Sequence, residues 1–103
     1  MLIREHDIQN TLRLWLAEHG YLSFRCNVGK FQTITGKWID TGLPNGFSDL
    51  LVLDNSGHAI FIECKTLKGK QKPDQINFQR IVESRGFRYI LARSIDDLIA
   101  AGL

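Results

Sequence analysis

Apolar residues recur along this chain with two periods, and the switches between them mark the elements. Ile8, Leu12, Trp15 and Leu16 follow the three-and-four spacing of a buried helical stripe, which predicts a helix over residues 3–18. Gly20 stands just past its last turn, where a left-handed residue ends a helix. From Tyr21 to Val28 the period becomes two. Leu22, Phe24, Cys26 and Val28 fall on one face and Tyr21, Ser23, Arg25 and Asn27 on the other, as in a half-buried strand. Residues 29–46 are punctuated by glycine and proline, with a short strand pair expected around Phe31–Ile34 and Lys37–Ile39. Two apolar runs follow, LLVL and AIFI, of the kind that fills strands buried on both faces. Pro73 suits a first helical position, Phe78 and Val82 supply a stripe, and Gly86 ends a helix running to about Arg85. Phe87–Ala92 reads as a second core strand. Ser94 and Asp97 resemble a capping box opening a last helix to about Ala101. The order is α-β-β-β-α-β-α. The crossover from residue 58 to residue 92 requires a parallel strand pair, so the expected fold is α/β with a central mixed sheet flanked by helices.

Three residues conflict with this pattern. Asp49 opens the first apolar run, and Glu63 and Lys65 close the second. Ionised groups in a strand built for burial cost several kcal/mol each unless paired, hydrogen-bonded or metal-bound. The turn between the runs sets their geometry. With Asn55-Ser56-Gly57 as a three-residue loop and Gly57 left-handed, Asp54 faces His58. Val52 then faces Ile60, Leu51 faces Phe61, and Asp49 faces Glu63. Opposed residues share a face, so the two carboxylates should lie roughly 5 Å apart. Lys65 follows on the same face, roughly 7 Å along the strand. Opposed carboxylates repel each other, which makes little sense for stability and good sense for binding Mg²⁺ or Mn²⁺ through hard oxygen ligands.

Other positions carry two readings each. Glu5 lies on the apolar stripe of the first helix and could face the sheet and a metal, or could simply complement the helix dipole. Gln75 could look back at the carboxylates, or satisfy loop backbone at its helix start. Lys68, Lys70 and Lys72 could contact phosphates at the mouth of such a site, or be solvated surface. Lys30, Phe31, Lys37 and Trp38 could form a flap of cations and aromatics suited to phosphates and exposed bases, or an ordinary hairpin packed by Trp38.

The ordered set of Glu5, GFSDLLVL, FIECK and KPDQINFQ resembles the PD-(D/E)xK nuclease superfamily, and within it the VRR-NUC (virus-type replication-repair nuclease) branch. The resemblance spans nearly the whole chain and implies a restriction-endonuclease-like core. Ser48 departs from it, standing where the superfamily name has Pro, at a position not expected to handle metal. The resemblance implies a Mg²⁺- or Mn²⁺-dependent endonuclease acting on DNA. Asp49, Glu63 and the backbone carbonyl of Cys64 would hold the ion, and Glu5 a second ion or a water held by the first. Lys65 would orient or deprotonate the attacking water, with Gln75 helping to position it, and Lys68, Lys70, Lys72, Lys30 and Lys37 would bind DNA. Family analogy further implies structure-selective cleavage of branched DNA by a homodimer, leaving a 5′-phosphate and a 3′-hydroxyl, in viral or bacterial replication and repair.

Composition narrows the setting. A chain of 103 residues with 44% hydrophobic and 23% charged residues is expected to form one globular domain, spanning 1–103, with no room for a separate sequence-reading module. No apolar run is long enough for a membrane span, and no signal-peptide pattern is visible. Cys26 and Cys64 fit neither a disulfide framework nor a zinc site, and read as buried fillers in a reducing cytoplasm, of a bacterial cell or a phage-infected host. A net charge of +2 permits a nucleic-acid partner without demanding one. Two rivals remain: a nucleic-acid-binding accessory module that keeps the fold without turnover, and a small α/β protein with a structural Glu-Lys pair.

Overall fold

A computed structural model of the protein describes residues 3–103. Helix α1 (Glu5–Glu18) leads into β1 (Leu22–Arg25), a short pair β2 (Lys30–Gln32) and β3 (Trp38–Asp40), then β4 (Leu50–Leu53) and β5 (Ala59–Cys64). Helix α2 (Pro73–Ser84), β6 (Arg88–Ala92) and α3 (Ile95–Ala100) complete the chain. Strands β1-β4-β5-β6 form one mixed sheet in that order. β5 and β6 are parallel, as the α2 crossover requires, and the other two pairings are antiparallel. The α/β class and the mixed sheet are therefore as expected.

The hairpin register is also as the turn chemistry predicts. Leu50 pairs with Ile62, Leu51 with Phe61, Val52 with Ile60 and Leu53 with Ala59. Gly57 is left-handed at φ +82°, and the Asp54 amide donates to the His58 carbonyl at 3.0 Å. The Asp54 carboxylate accepts from the Ser56 and His58 amides, which holds it below the usual carboxylate range.

Alternation divides the core in two. Leu50, Val52, Ile60, Ile62, Cys64, Ile90 and Ala92 point to the side covered by Leu12 and Leu16 of α1 and Leu98 of α3. Phe61, Tyr89 and Leu91 point to the other side, against Phe78 and Val82 of α2. The face of β1 is a correction to the sequence reading. Leu22 and Phe24 share the α2 side of the sheet, yet they are 56% and 48% exposed. The reason is coverage: α2 lies over β5 and β6, so the β1 end of that face has no helix above it.

Two smaller differences concern termini. Ser94 makes no side-chain cap to α3; Asp97 instead accepts the Arg93 amide at 2.8 Å, one residue earlier than a capping box would place it. Strands β2 and β3 pair only with each other, as a second two-stranded sheet. Trp38 is 69% exposed and does not pack this ribbon against the body. The projecting ribbon helps explain a radius of gyration of 14.4 Å, above the roughly 13 Å of a compact domain this long.

Candidate active site

The sequence folds so that two strand ends and two helix starts meet at one place. Asp49 lies just before β4 and Glu63 near the end of β5, and the ladder extends past the assigned strands at this point. The Cys26 amide donates to the Asp49 carbonyl at 2.8 Å on one side. On the other, the Asp49 carboxylate accepts the Cys64 amide at 2.8 Å, locking it beside β5. Glu5, at the first residue of α1, approaches from the opposite side of the sheet. One carboxylate oxygen from each of Glu5, Asp49 and Glu63 lies within 4.8 Å of the other two.

Burial grades the cluster. Glu63 is 1% exposed, and among the described residues its Oε2 has no hydrogen-bond partner. Burial, then the neighbouring Asp49 charge, push its carboxyl up to about 9, against the counter-pull of Lys65. Lys65 is itself 5% exposed, and its Nζ lies 3.5 Å from Glu5 Oε1. Gln75 serves both of the roles open to it. Its Oε1 accepts the Lys72 amide at 2.9 Å at the start of α2, while its Nε2 donates to Glu63 Oε1 at 3.2 Å. The expected residues Glu5, Asp49, Glu63, Lys65 and Gln75 are thus brought together. The backbone of Cys64 lies among them, its amide engaged by Asp49.

A metal ion fits this chemistry. Three carboxyl oxygens converge, and a buried acceptor lacks a donor, which is what a hard cation requires and what a structural carboxylate pair would avoid. Cys64 is buried, and burial raises its thiol, so it serves as an inert apolar filler.

The lysines distribute differently. Lys72 lines a cleft of about 290 Å³ that also contains Asp49 and Gln75. Lys68 and Lys70 are exposed on the loop after Lys65, outside the residues lining that cleft. Lys30 lies on the ribbon opposite Asp40, and Lys37 precedes β3; both are exposed.

Several supporting residues had escaped the sequence reading. Gly46 sits at φ +89°, and a Cβ there would stand 2.3 Å from the Asp74 carbonyl, so only glycine lets this loop meet the start of α2. The Arg93 guanidinium donates to the carbonyls of Thr66 and Gly69, tying down the lysine loop. Gln71 bonds Gln79 and the Tyr89 hydroxyl behind that loop. Gln9, one helical turn beyond Glu5, lines the cleft. Its four-residue spacing from Glu5 was the only available signal. The buried Ser48 donates to the Leu50 carbonyl at 3.0 Å, a backbone role consistent with its not handling metal.

Comparison with known proteins gives one match: the profile of the VRR-NUC domain fits residues 3–96. No curated protein and no solved structure matches the chain.

Proposed function

This chain belongs to the VRR-NUC family, nucleases of the PD-(D/E)xK type, and we propose that it is a Mg²⁺- or Mn²⁺-dependent endonuclease hydrolysing phosphodiester bonds in DNA. The observation that carries the reading is the meeting of Glu5, Asp49 and Glu63 beside a buried lysine, with Glu63 Oε2 unpartnered. Asp49, Glu63 and the Cys64 carbonyl are the ligands in this reading, with Glu5 at the outer side. The ion supplies Lewis acidity, easing removal of a water proton and neutralising charge on the scissile phosphate.

The protein's own groups do the rest. The Cys64 amide and the Gln75 side chain fix the two inner carboxylates before substrate arrives. Glu5 holds the Lys65 ammonium near the carboxylates. The Lys65 ammonium orients the attacking water and stabilises the negative charge that builds on phosphorus-bound oxygen. Water oxygen bonds to phosphorus and the bond to the 3′ oxygen breaks, leaving a 5′-phosphate and a 3′-hydroxyl.

Lys72 lines the cleft, Lys68 and Lys70 stand exposed on the loop before it, and Lys30 and Lys37 with Phe31 and Trp38 arm the projecting ribbon. Exposed aromatics on an otherwise unsupported ribbon favour structure-selective action at branched DNA, where unstacked bases are available. The uncovered apolar positions Leu22, Phe24 and Leu53 suit a homodimer. The setting proposed is replication or repair in the cytoplasm of a bacterial cell or phage-infected host. The test is a cleavage assay on linear, flap and four-way DNA with Mg²⁺, Mn²⁺ or EDTA. Cleavage that needs the metal and favours the branched forms is expected. Salt-sensitive binding with no cleavage under any condition would select the accessory-module reading instead.

A further inference from the structure

Of the three clustered carboxylates, Asp49 lines the 290 Å³ cleft, together with Asp74, Gln75 and Lys72. The same cleft is lined by a bank of uncharged amides: Gln9 on α1, Asn27 just past β1, and Asn45 before Gly46. Among the described residues, Gln9 Oε1 is buried with no hydrogen-bond partner. An unpaired buried amide oxygen is a cost to folding, and such atoms are rare unless a ligand or water completes them. Arg25 stands on the same rim, at the end of β1. Both roots of the β2–β3 ribbon, at Asn27–Val28 and Asn45–Gly46, line the cleft, so a strand reaching Asp49 through it passes the amides.

The size and chemistry select the occupant. The volume is at the lower end of what holds a small ligand, room for one nucleotide and none for a base pair. Asn and Gln amides offer a donor and an acceptor side by side, the pattern that matches a base edge, whereas Arg takes phosphate. Base edges in a duplex are engaged with their partners, so a base enters such a cleft at low cost only where it is already unpaired.

We propose that this bank is a subsite for one unpaired nucleotide of a DNA strand. Gln9 and Asn27 hold its base edge and Arg25 holds its phosphate. Its placement beside the scissile bond rests on the nuclease reading above; its ligand chemistry does not.

The test measures binding without turnover. Asp49→Asn protein in EDTA is titrated, by fluorescence anisotropy, against two duplexes that each carry a single unpaired nucleotide, one with its base and one abasic. The duplex with the base should bind at least about fivefold more tightly, as a fixed amide–base contact requires. Gln9→Met, which keeps length and packing, should erase that ratio, and so should Asn27→Leu at an exposed position that the core does not need. Arg25→Met should weaken both duplexes together. Equal affinity for the two duplexes overturns the subsite, as does a preference retained in both amide variants, and so does the absence of binding to either. Wild-type cleavage is measured separately. Base preference without cleavage removes the nuclease reading alone, and cleavage with equal binding removes the subsite alone.

Discussion

Glu63 is 1% exposed and faces a second carboxylate, so the protein holds its proton far above the pH at which a free glutamate loses it. The sign of the consequence follows from linkage. Between about 4.5, where the unfolded chain releases this proton, and about 9, where the folded chain does, the folded state binds more protons. Metal-free stability should therefore fall as pH rises through that window, by up to about 1.4 kcal/mol per pH unit. In Glu63→Gln this contribution should be gone; denaturant midpoints at pH 5, 7 and 9 without metal provide the check. Both Glu63→Gln and Asp49→Asn should stay folded and lose cleavage, since each keeps shape while removing an anionic ligand. Lys65→Ala should lower turnover roughly 10²-fold or more, as removal of a preorganised charge does. Its metal affinity should not fall, because a cation has been removed from beside the ligands; a collapse of metal binding measured by calorimetry would make Lys65 a structural counter-ion instead. Residue chemistry of this kind was legible in the sequence because Asp49, Glu63 and Lys65 violate an apolar pattern. Gln9 violates nothing: a lone glutamine on a helix is unremarkable until its neighbours are seen.

Elements repeat that lesson. The β4–β5 register followed from five turn residues, because a side-chain period of two leaves no intermediate registers once the loop length is set. The exposure of Leu22 and Phe24 did not follow from alternation, which tells which residues share a face and not what covers it. Coverage depends on where α2 lands across the sheet, a long-range fact. The need for glycine at position 46 was hidden for a related reason, since its neighbour Asp74 is distant in sequence. Gly46→Ala should cost more than about 1 kcal/mol and also lower cleavage, by pushing away the start of α2 that carries Gln75. Gly57→Ala is the control. It has a similar φ of +82° but nothing within 4 Å of the added carbon, so it should lose some stability and keep activity. Thermal melts and initial cleavage rates on both variants separate strain from displacement. The lysine loop offers a separate test. Replacing Lys68, Lys70 and Lys72 by Ala should weaken binding to all DNA sequences alike and reduce the salt slope by up to roughly 0.9 per lost duplex phosphate contact. An unchanged slope would make the loop ordinary solvated surface.

At the scale of the whole molecule the site is where the fold's separate parts are joined. Glu5 begins the helix on one side of the sheet, Gln75 lies in the first turn of the helix on the other, and Asp49 and Glu63 sit at adjacent strand ends between them. With nothing bound, burial and the crowding of these acidic groups across that junction keep a proton on Glu63. A divalent cation attracts all of them and displaces the proton held on Glu63, so its binding is coupled to folding and to pH. Metal should raise the melting temperature by an amount set by RT ln(1 + [L]/Kd), about 2.7 kcal/mol at a hundredfold excess over Kd. Its apparent affinity should strengthen as pH rises towards 9, approaching about tenfold per unit while one proton is released for each ion bound. The shift should disappear in the Asp49→Asn, Glu63→Gln double variant. Melts of both proteins with and without Mg²⁺ or Mn²⁺, at two pH values, test each part of this. An equal metal-induced shift in wild type and double variant would place the ion elsewhere on the protein. A shift confined to wild type but insensitive to pH would keep the ion at this site and remove the proton from Glu63.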